Sequence, residues 1–204
     1  GAPACTLFDA RQLHGKPPRY NNTNDASAAL ELVRAMARTA PGAFNTCVVK
    51  HTNPCGAASA ATCAQAIDLA IAGDPMAAFG GILATASPID LAGAQRITAE
   101  GTFFEIVIAP IYDNDALALL QERWKNLRIL QVEQENPTHP PAIRSELKFI
   151  PGGALVQERD LVVPNPQGWT HAAGPEPTPD QLDAAAMLEN MCRALSSNAV
   201  LIGG

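Results

Sequence analysis

The heptad Lys50-His51-Thr52-Asn53-Pro54-Cys55-Gly56 carries the most chemically capable run of side chains in the sequence. A lysine next to a histidine offers two groups that can give or take a proton, as general acid–base transfer requires. The pair follows the apolar run Cys47-Val48-Val49, so it lies where a buried strand ends and a turn begins. In α/β sheets that is where ligands bind. A solvated lysine and a histidine bonded to a carbonyl explain the same residues, and on pattern alone this plainer reading carries more weight. Pro54-Cys55 supplies half of the P-C-x-x-C signature of zinc deaminases. Ala58 stands where the second thiolate is needed and no H-x-E precedes it, so no metal is expected and Cys55 reads as a packed turn residue.

Three other segments offer polar or backbone chemistry. Ala78-Phe79-Gly80-Gly81-Ile82 has paired glycines, which allow positive φ and close approach of a ligand to the backbone; on pattern alone a tight turn is the favoured reading. Tyr20-Asn21-Asn22-Thr23-Asn24-Asp25 is dense in amides that can pair with a heterocycle or carboxamide, and an Asx-rich helix cap is the simpler reading. Lys125-Asn126 closes a helical stretch, where a lysine complements the C-terminal dipole.

The elements that must position these residues are legible as alternating short apolar runs and helical stretches. A helix capped by Asp25 carries Leu30, Val33, Met36 and Ala37 on one face and ends at Pro41-Gly42. Strands are expected at 47–49, 81–84, 106–109 and 129–132, with helices at about 59–72, after Asp90, and at 114–124. Pro151-Gly152-Gly153 turns between strands at 147–150 and 154–156. Residues 133–141 and 164–179 read as connections, and Thr178-Pro179-Asp180-Gln181 opens a helix with a capping box. Ala199 to Ile202 reads as a last strand. The pattern predicts an α/β fold with three layers, α-β-α, around a mixed, mostly parallel sheet.

Composition sets limits on what this scaffold does. The chain has 204 residues, 47% of them hydrophobic, which suits one or two globular domains. Fourteen lysines and arginines face twenty acids, a net charge of −6. That excludes a protein that coats nucleic acid and leaves any anionic ligand to a few well-placed cations. No run reaches the roughly 18 apolar residues of a membrane helix, and Gly1-Ala2-Pro3-Ala4 has no signal-peptide pattern. Cys5, Cys47, Cys55, Cys63 and Cys192 form no C-x-x-C pair, which fits a reducing cytoplasm. The histidines at 14, 51, 139 and 171 show no zinc-ligand spacing.

Taken in order, the segments resemble the formyltransferase region of the bifunctional family AICAR formyltransferase/IMP cyclohydrolase. (AICAR is 5-aminoimidazole-4-carboxamide ribonucleotide.) The matching stretches are Tyr20-Asn21-Asn22, KHTNPCG at 50–56, AFGGILA at 78–84 and FEIVIAP at 104–110. Ala116-Leu117, Lys125-Asn126-Leu127-Arg128, GGALVQ at 152–157 and SNAV at 197–200 follow. The resemblance implies a cytidine-deaminase-like fold, with a first subdomain over 1–160 and a linker, helix and strand over 161–204. It also implies transfer of formyl from 10-formyltetrahydrofolate, as co-substrate, to the 5-amino group of AICAR in purine biosynthesis. His51 would accept the proton, Lys50 would stabilise the transition state and Asn198 would orient the carboxamide region. Asn22, Gly80 and Glu105 would contact the ribonucleotide and Lys125 its 5′-phosphate. No metal is needed for this chemistry.

The cyclohydrolase domain and its R-Y-G-x-N-P-H-Q arm have no counterpart here, so the resemblance implies the transferase and not the cyclohydrolase step. The family's formyltransferase region is built from two related halves and its site forms across a homodimer. The chain ends as the second half would begin, so activity is expected to need a partner, either a homodimer mate or a complementing half. A non-catalytic ribonucleotide-binding or regulatory module is the alternative, and a fragment that dimerises by its exposed edge is a third. The deciding observation is whether His51, Asn198 and Lys125 converge on one pocket; if they lie apart, both ligand-based readings fall together.

Overall fold

The computed structural model describes residues 6–134 and 145–204. Its elements in chain order are β1 (Arg11–His14), α1 (Tyr20–Thr39), β2 (Phe44–Lys50), β3 (Asn53–Ala60), α2 (Cys63–Ala72) and α3 (Pro75–Ala78). Then come β4 (Gly81–Thr85), α4 (Leu91–Ile97), β5 (Phe104–Ala109), α5 (Asn114–Arg123) and β6 (Arg128–Gln131). A separate hairpin of β7 (Ser145–Ile150) and β8 (Gly153–Glu158) precedes α6 (Pro179–Arg193).

Six strands form one sheet in the order β1-β6-β5-β4-β2-β3. Strands β4, β5 and β6 are parallel, while β2 is antiparallel to both β3 and β4, and β1 to β6. The sheet is therefore mixed, with four strands (β3 to β6) pointing the same way.

Period-two alternation sends successive side chains to opposite faces and so builds the layers. Val48, Leu83, Val107 and Ile129 face α2, α4 and α5, packing on Ile67, Ile97 and Leu120. Their neighbours Cys47, Val49, Ile82, Ala84, Ile106, Ile108 and Leu130 face α1, whose Leu30, Val33 and Met36 cover them together with Met191 of α6. Near-continuous apolar strands are what a sheet covered on both sides needs. The fold is a three-layer α-β-α sandwich.

Several expectations need correction. The helix read as capped by Asp25 starts at Tyr20, five residues earlier. Pro17-Pro18 keeps the chain extended up to Arg19, and Asn22 Oδ1 then accepts the Arg19 N–H at 3.2 Å. The amide-rich segment is thus the first turns of α1 itself. The Ala-rich stretch assigned wholly to helix divides into β3 and α2, split at Thr62, which caps α2 by accepting from Gln65 N–H. Cys55 consequently lies within β3, not in a turn. Strand β1 had no apolar signature and was not expected. α5 ends at Arg123, so Lys125-Asn126 sits in the following turn rather than on the helix. Residues 199–202 form no strand: Val200 and Ile202 are exposed, and only Leu201 turns toward the core. A short apolar run without a ladder partner has nothing to pair its backbone groups. The expected connection at 133–141 lies mostly outside the described residues.

Candidate functional site

A cleft of about 900 Å³ opens at one end of the sheet. Its lining comes from the segment Lys16-Pro17-Pro18-Arg19, the first turns of α1, the β2–β3 turn, Gly80, Ile82, Glu105 and Arg128. The carboxyl ends of β1 and β2 reach the cleft, β1 leading into Lys16-Pro17-Pro18-Arg19. Because β2 runs antiparallel to β4, the parallel strands β4, β5 and β6 meet the cleft with their amino ends, through Gly80-Gly81, Glu105 and Arg128. The expectation drawn from carboxyl strand ends therefore holds for Lys50 and His51 and is reversed for Gly80, Glu105 and Arg128.

The β2–β3 turn is tight and strained. His51 and Thr52 both adopt left-handed backbone conformations, with φ of 53° and 62°. Positive φ at both central residues suits a two-residue hairpin, but the usual occupants are Asn and Gly. Each non-glycine residue held there costs about 1–3 kcal/mol, and such strain gathers at functional sites. Asp25 receives the turn's two N–H groups, Oδ2 from His51 at 3.2 Å and Oδ1 from Thr52 at 2.9 Å. The His51 carbonyl accepts from Thr52 Oγ1 at 2.7 Å and Asn53 Nδ2 at 2.9 Å. The imidazole is exposed, and no hydrogen-bond partner for its ring stands among the described residues. Lys50 is half-buried, and its Nζ donates to the Phe79 carbonyl at 2.8 Å, which fixes the ammonium beside Gly80.

Gly80 has φ +77°, where a side chain would be strained, and its N–H donates to the Phe103 carbonyl at 2.7 Å. The Phe103 ring stands between Phe79 (centroids 5.4 Å apart) and Trp124 (5.9 Å, edge-on), bracing the loops on this side. On the opposite wall Asn22 Nδ2 donates to Glu105 Oε2 at 2.8 Å, so this amide both caps α1 and orients an acid. Glu105 also faces the Arg128 guanidinium at 3.7 Å. Arg128 Nε donates to the Pro17 carbonyl at 3.4 Å, and the guanidinium is only 13% exposed.

Charge in the cleft opposes that of the whole chain. Lys16, Arg19, Lys50 and Arg128 line it with only Asp25 and Glu105 as acids, on a protein of net charge −6. The amino end of α1 points its unpaired N–H groups to the same place. The arrangement suits a ligand with one strongly anionic group, such as a phosphate. Thiol chemistry is not offered. Burial pushes the Cys55 thiol up, the nearby Asp74 adds to this, and Lys50 opposes it weakly. Burial takes Cys47 to about 12 and Cys63 to about 11. Among the described residues no three His, Cys, Asp or Glu side chains gather as a metal site.

Lys50, His51, Asn22, Gly80 and Glu105 therefore share one cleft. Lys125 and Asn198 do not line it, so the expected convergence of His51, Asn198 and Lys125 is not found, and any ligand reading rests on the five residues that share the cleft. Lys125 is exposed in the turn three residues before Arg128, and Asn198 is exposed in the C-terminal segment. That segment touches the foot of the hairpin where the Ser196 N–H donates to Asn53 Oδ1 at 3.0 Å. Sequence reasoning missed Lys16, Arg19, Asp25 and Arg128. Two signals were available: cations set just before a helix start, and Arg128 pairing in register with Ile106, beside Glu105.

The model of the family described as AICARFT/IMPCHase bienzyme matches residues 2–204. The chain belongs to this family. It is 40% identical over 197 residues to the bifunctional purine biosynthesis protein PurH of Lacticaseibacillus casei (strain BL23), covering 97% of this chain and 37% of that protein. It is 37% identical over 202 residues to PurH of Rhodopirellula baltica, with 98% and 37% coverage. PurH of Enterococcus faecalis is 39% identical over 199 residues, with the same coverages. The chain thus spans little more than a third of the length of these relatives. In this chain the cleft takes lining residues from the KHTNPCG, AFGG and FEIVIAP stretches. No helix among the described residues is long and apolar enough to cross a membrane.

Proposed function

We propose that this chain provides the ribonucleotide-binding and proton-transfer part of an AICAR formyltransferase site in purine biosynthesis. The observation that carries the reading is the meeting of an unencumbered His51 and an anchored Lys50 with a cation-rich cleft in a member of this family. The 5-amino group of AICAR is a poor nucleophile because its lone pair is delocalised. As its nitrogen attacks the formyl carbon of the co-substrate 10-formyltetrahydrofolate, His51 takes the amine proton. The bond from the formyl carbon to the folate nitrogen then breaks, and that nitrogen takes up, as it leaves, the proton that His51 removed, which returns the imidazole to its neutral form. Lys50 Nζ lies where it can stabilise charge on the formyl oxygen.

Glu105, oriented by Asn22 and Arg128, offers acceptor oxygens to ribose hydroxyls. Backbone at Gly80 lets the ring approach closely. The position of Arg128 in the cleft favours it, with Lys16 and Arg19, as the phosphate anchor ahead of Lys125. Asn198 keeps its role in orienting the carboxamide as an inference from the family likeness alone. A homodimer mate or a complementing half would complete the site.

Calorimetric titration with AICAR, followed by assay of formyl transfer with and without a complementing second half, tests the reading. We expect binding by both wild type and His51→Asn, with transfer lost only in the variant. No heat with AICAR would refute the proposal. Binding without transfer under any complementation would instead make the chain a ribonucleotide-binding module.

A further inference from the structure

We propose that Asp25 is a positioning residue, whose carboxylate clamps the His51–Thr52 turn in the left-handed conformation that presents Lys50 and His51 to the cleft. The inference rests on the roles given to Lys50 and His51 above. His51 and Thr52 are poor choices for φ of 53° and 62°, and Thr is β-branched, so the turn does not hold itself. Two successive N–H groups in this conformation make a small anion-binding concavity. Asp25 fills it with both oxygens, one to each N–H.

The place of Asp25 in α1 supports the same conclusion. It stands in the second turn of the helix, where it caps nothing, and aspartate is a weak helix former away from a cap. Its neighbour one turn earlier, Asn22, reaches Glu105 on the far wall. Through these two side chains α1 holds the turn bearing the proton-transfer pair and the acid facing the ribonucleotide. A shift of the turn would move His51 relative to the ligand without removing any group that touches it. The clamp therefore sets geometry.

The test uses the full chain as wild type, Asp25→Asn, Asp25→Ala, Thr52→Gly and the double variant Asp25→Ala/Thr52→Gly. Asparagine keeps the shape of the side chain but aims a donor at one of the two N–H groups. Glycine at 52 removes the penalty for positive φ, so the turn needs the clamp less. Two readouts are taken: amide hydrogen exchange of His51 and Thr52 in the free protein, and affinity for AICAR by calorimetry. We expect exchange about tenfold faster or more in both single Asp25 variants, from loss of charged hydrogen bonds. Affinity should fall in parallel, and the double variant should recover most of the affinity while its two turn amides, still without an acceptor, keep exchanging fast.

If Asp25 instead contacted the ligand, affinity would fall without any change in exchange and glycine would not restore it; either result overturns the clamp. Unchanged exchange in Asp25→Asn and Asp25→Ala also overturns it. Should the wild type bind no AICAR, the functional reading fails by itself. The exchange rates of the two single Asp25 variants then decide the clamp.

Discussion

Replacing Arg128 by glutamine removes a largely buried cation of the cleft wall, and its effects on stability and binding should separate. The Arg128–Glu105 pair is 3.7 Å apart with the Glu105 side chain 46% exposed. At a water-like dielectric this separation gives about 1 kcal/mol, and screening at an exposed carboxylate lowers it. Glu105 keeps its bond from Asn22 Nδ2, so the variant leaves no buried acid without a partner. The expected stability loss is therefore about 0–1 kcal/mol.

Binding is different, because the guanidinium would face a dianionic phosphate in a cleft that excludes much of the water. One charge-assisted hydrogen bond contributes about 1.5–3 kcal/mol, or roughly 10- to 150-fold in affinity. The assay is calorimetric titration of wild type and Arg128→Gln with AICAR and with the riboside that lacks the phosphate, each at two salt concentrations. AICAR affinity should fall in that range and its salt dependence should weaken, while the riboside should bind both proteins alike. Equal losses for the two ligands would show that Arg128 shapes the cleft rather than anchoring phosphate. No loss for either would remove Arg128 from the site altogether.

Two other perturbations follow from the geometry. Burial raises Cys47 to about 12 in the folded chain, above its unfolded value of about 9, so the unfolded state gives up its proton first as pH rises. Stability from this thiol is full below about pH 9 and lost toward pH 12; urea unfolding of wild type and Cys47→Ala at stepped pH should show the variant losing less across that window. Gly80→Ala places a side chain at φ +77° with Phe103 beside it, and a thermal melt should register a loss of about 1–2 kcal/mol.

Much of this architecture was readable from residue type. The strands at 81–84 and 106–109 and the helices after Asp90 and Thr178 emerged nearly where periodicity and capping placed them, because tertiary context agrees with local preference there. β3 did not, since Ala-Ala-Ser-Ala has helical propensity and becomes strand only by pairing with β2. Asp25 misled for a similar reason. An aspartate before an apolar period signals a helix start, and its actual partners are two N–H groups 26 and 27 residues away. The chemical core of the cleft, Lys50 and His51, sits on one contiguous motif and was visible. Arg128 was not, because only the register of β5 against β6 brings it beside Glu105.

Between Val132 at the close of the sheet and Thr178 at the cap of α6, the chain makes an excursion whose main regular element is the β7–β8 hairpin, with every residue of both strands exposed. Yet α6 returns to pack beside α1, where Met191 joins the core and Asn190 donates to Thr39 Oγ1. Thermodynamically the excursion is a tether: its closure entropy grows only with the logarithm of its length, by about 0.6 kcal/mol for each doubling. Insertions and deletions within the hairpin are nearly free for the sandwich, whereas the stretch after it is tied back through Arg159–Glu31 and Arg193–Asp160. The same change at Thr52, inside a two-residue turn, would unseat His51 from the cleft.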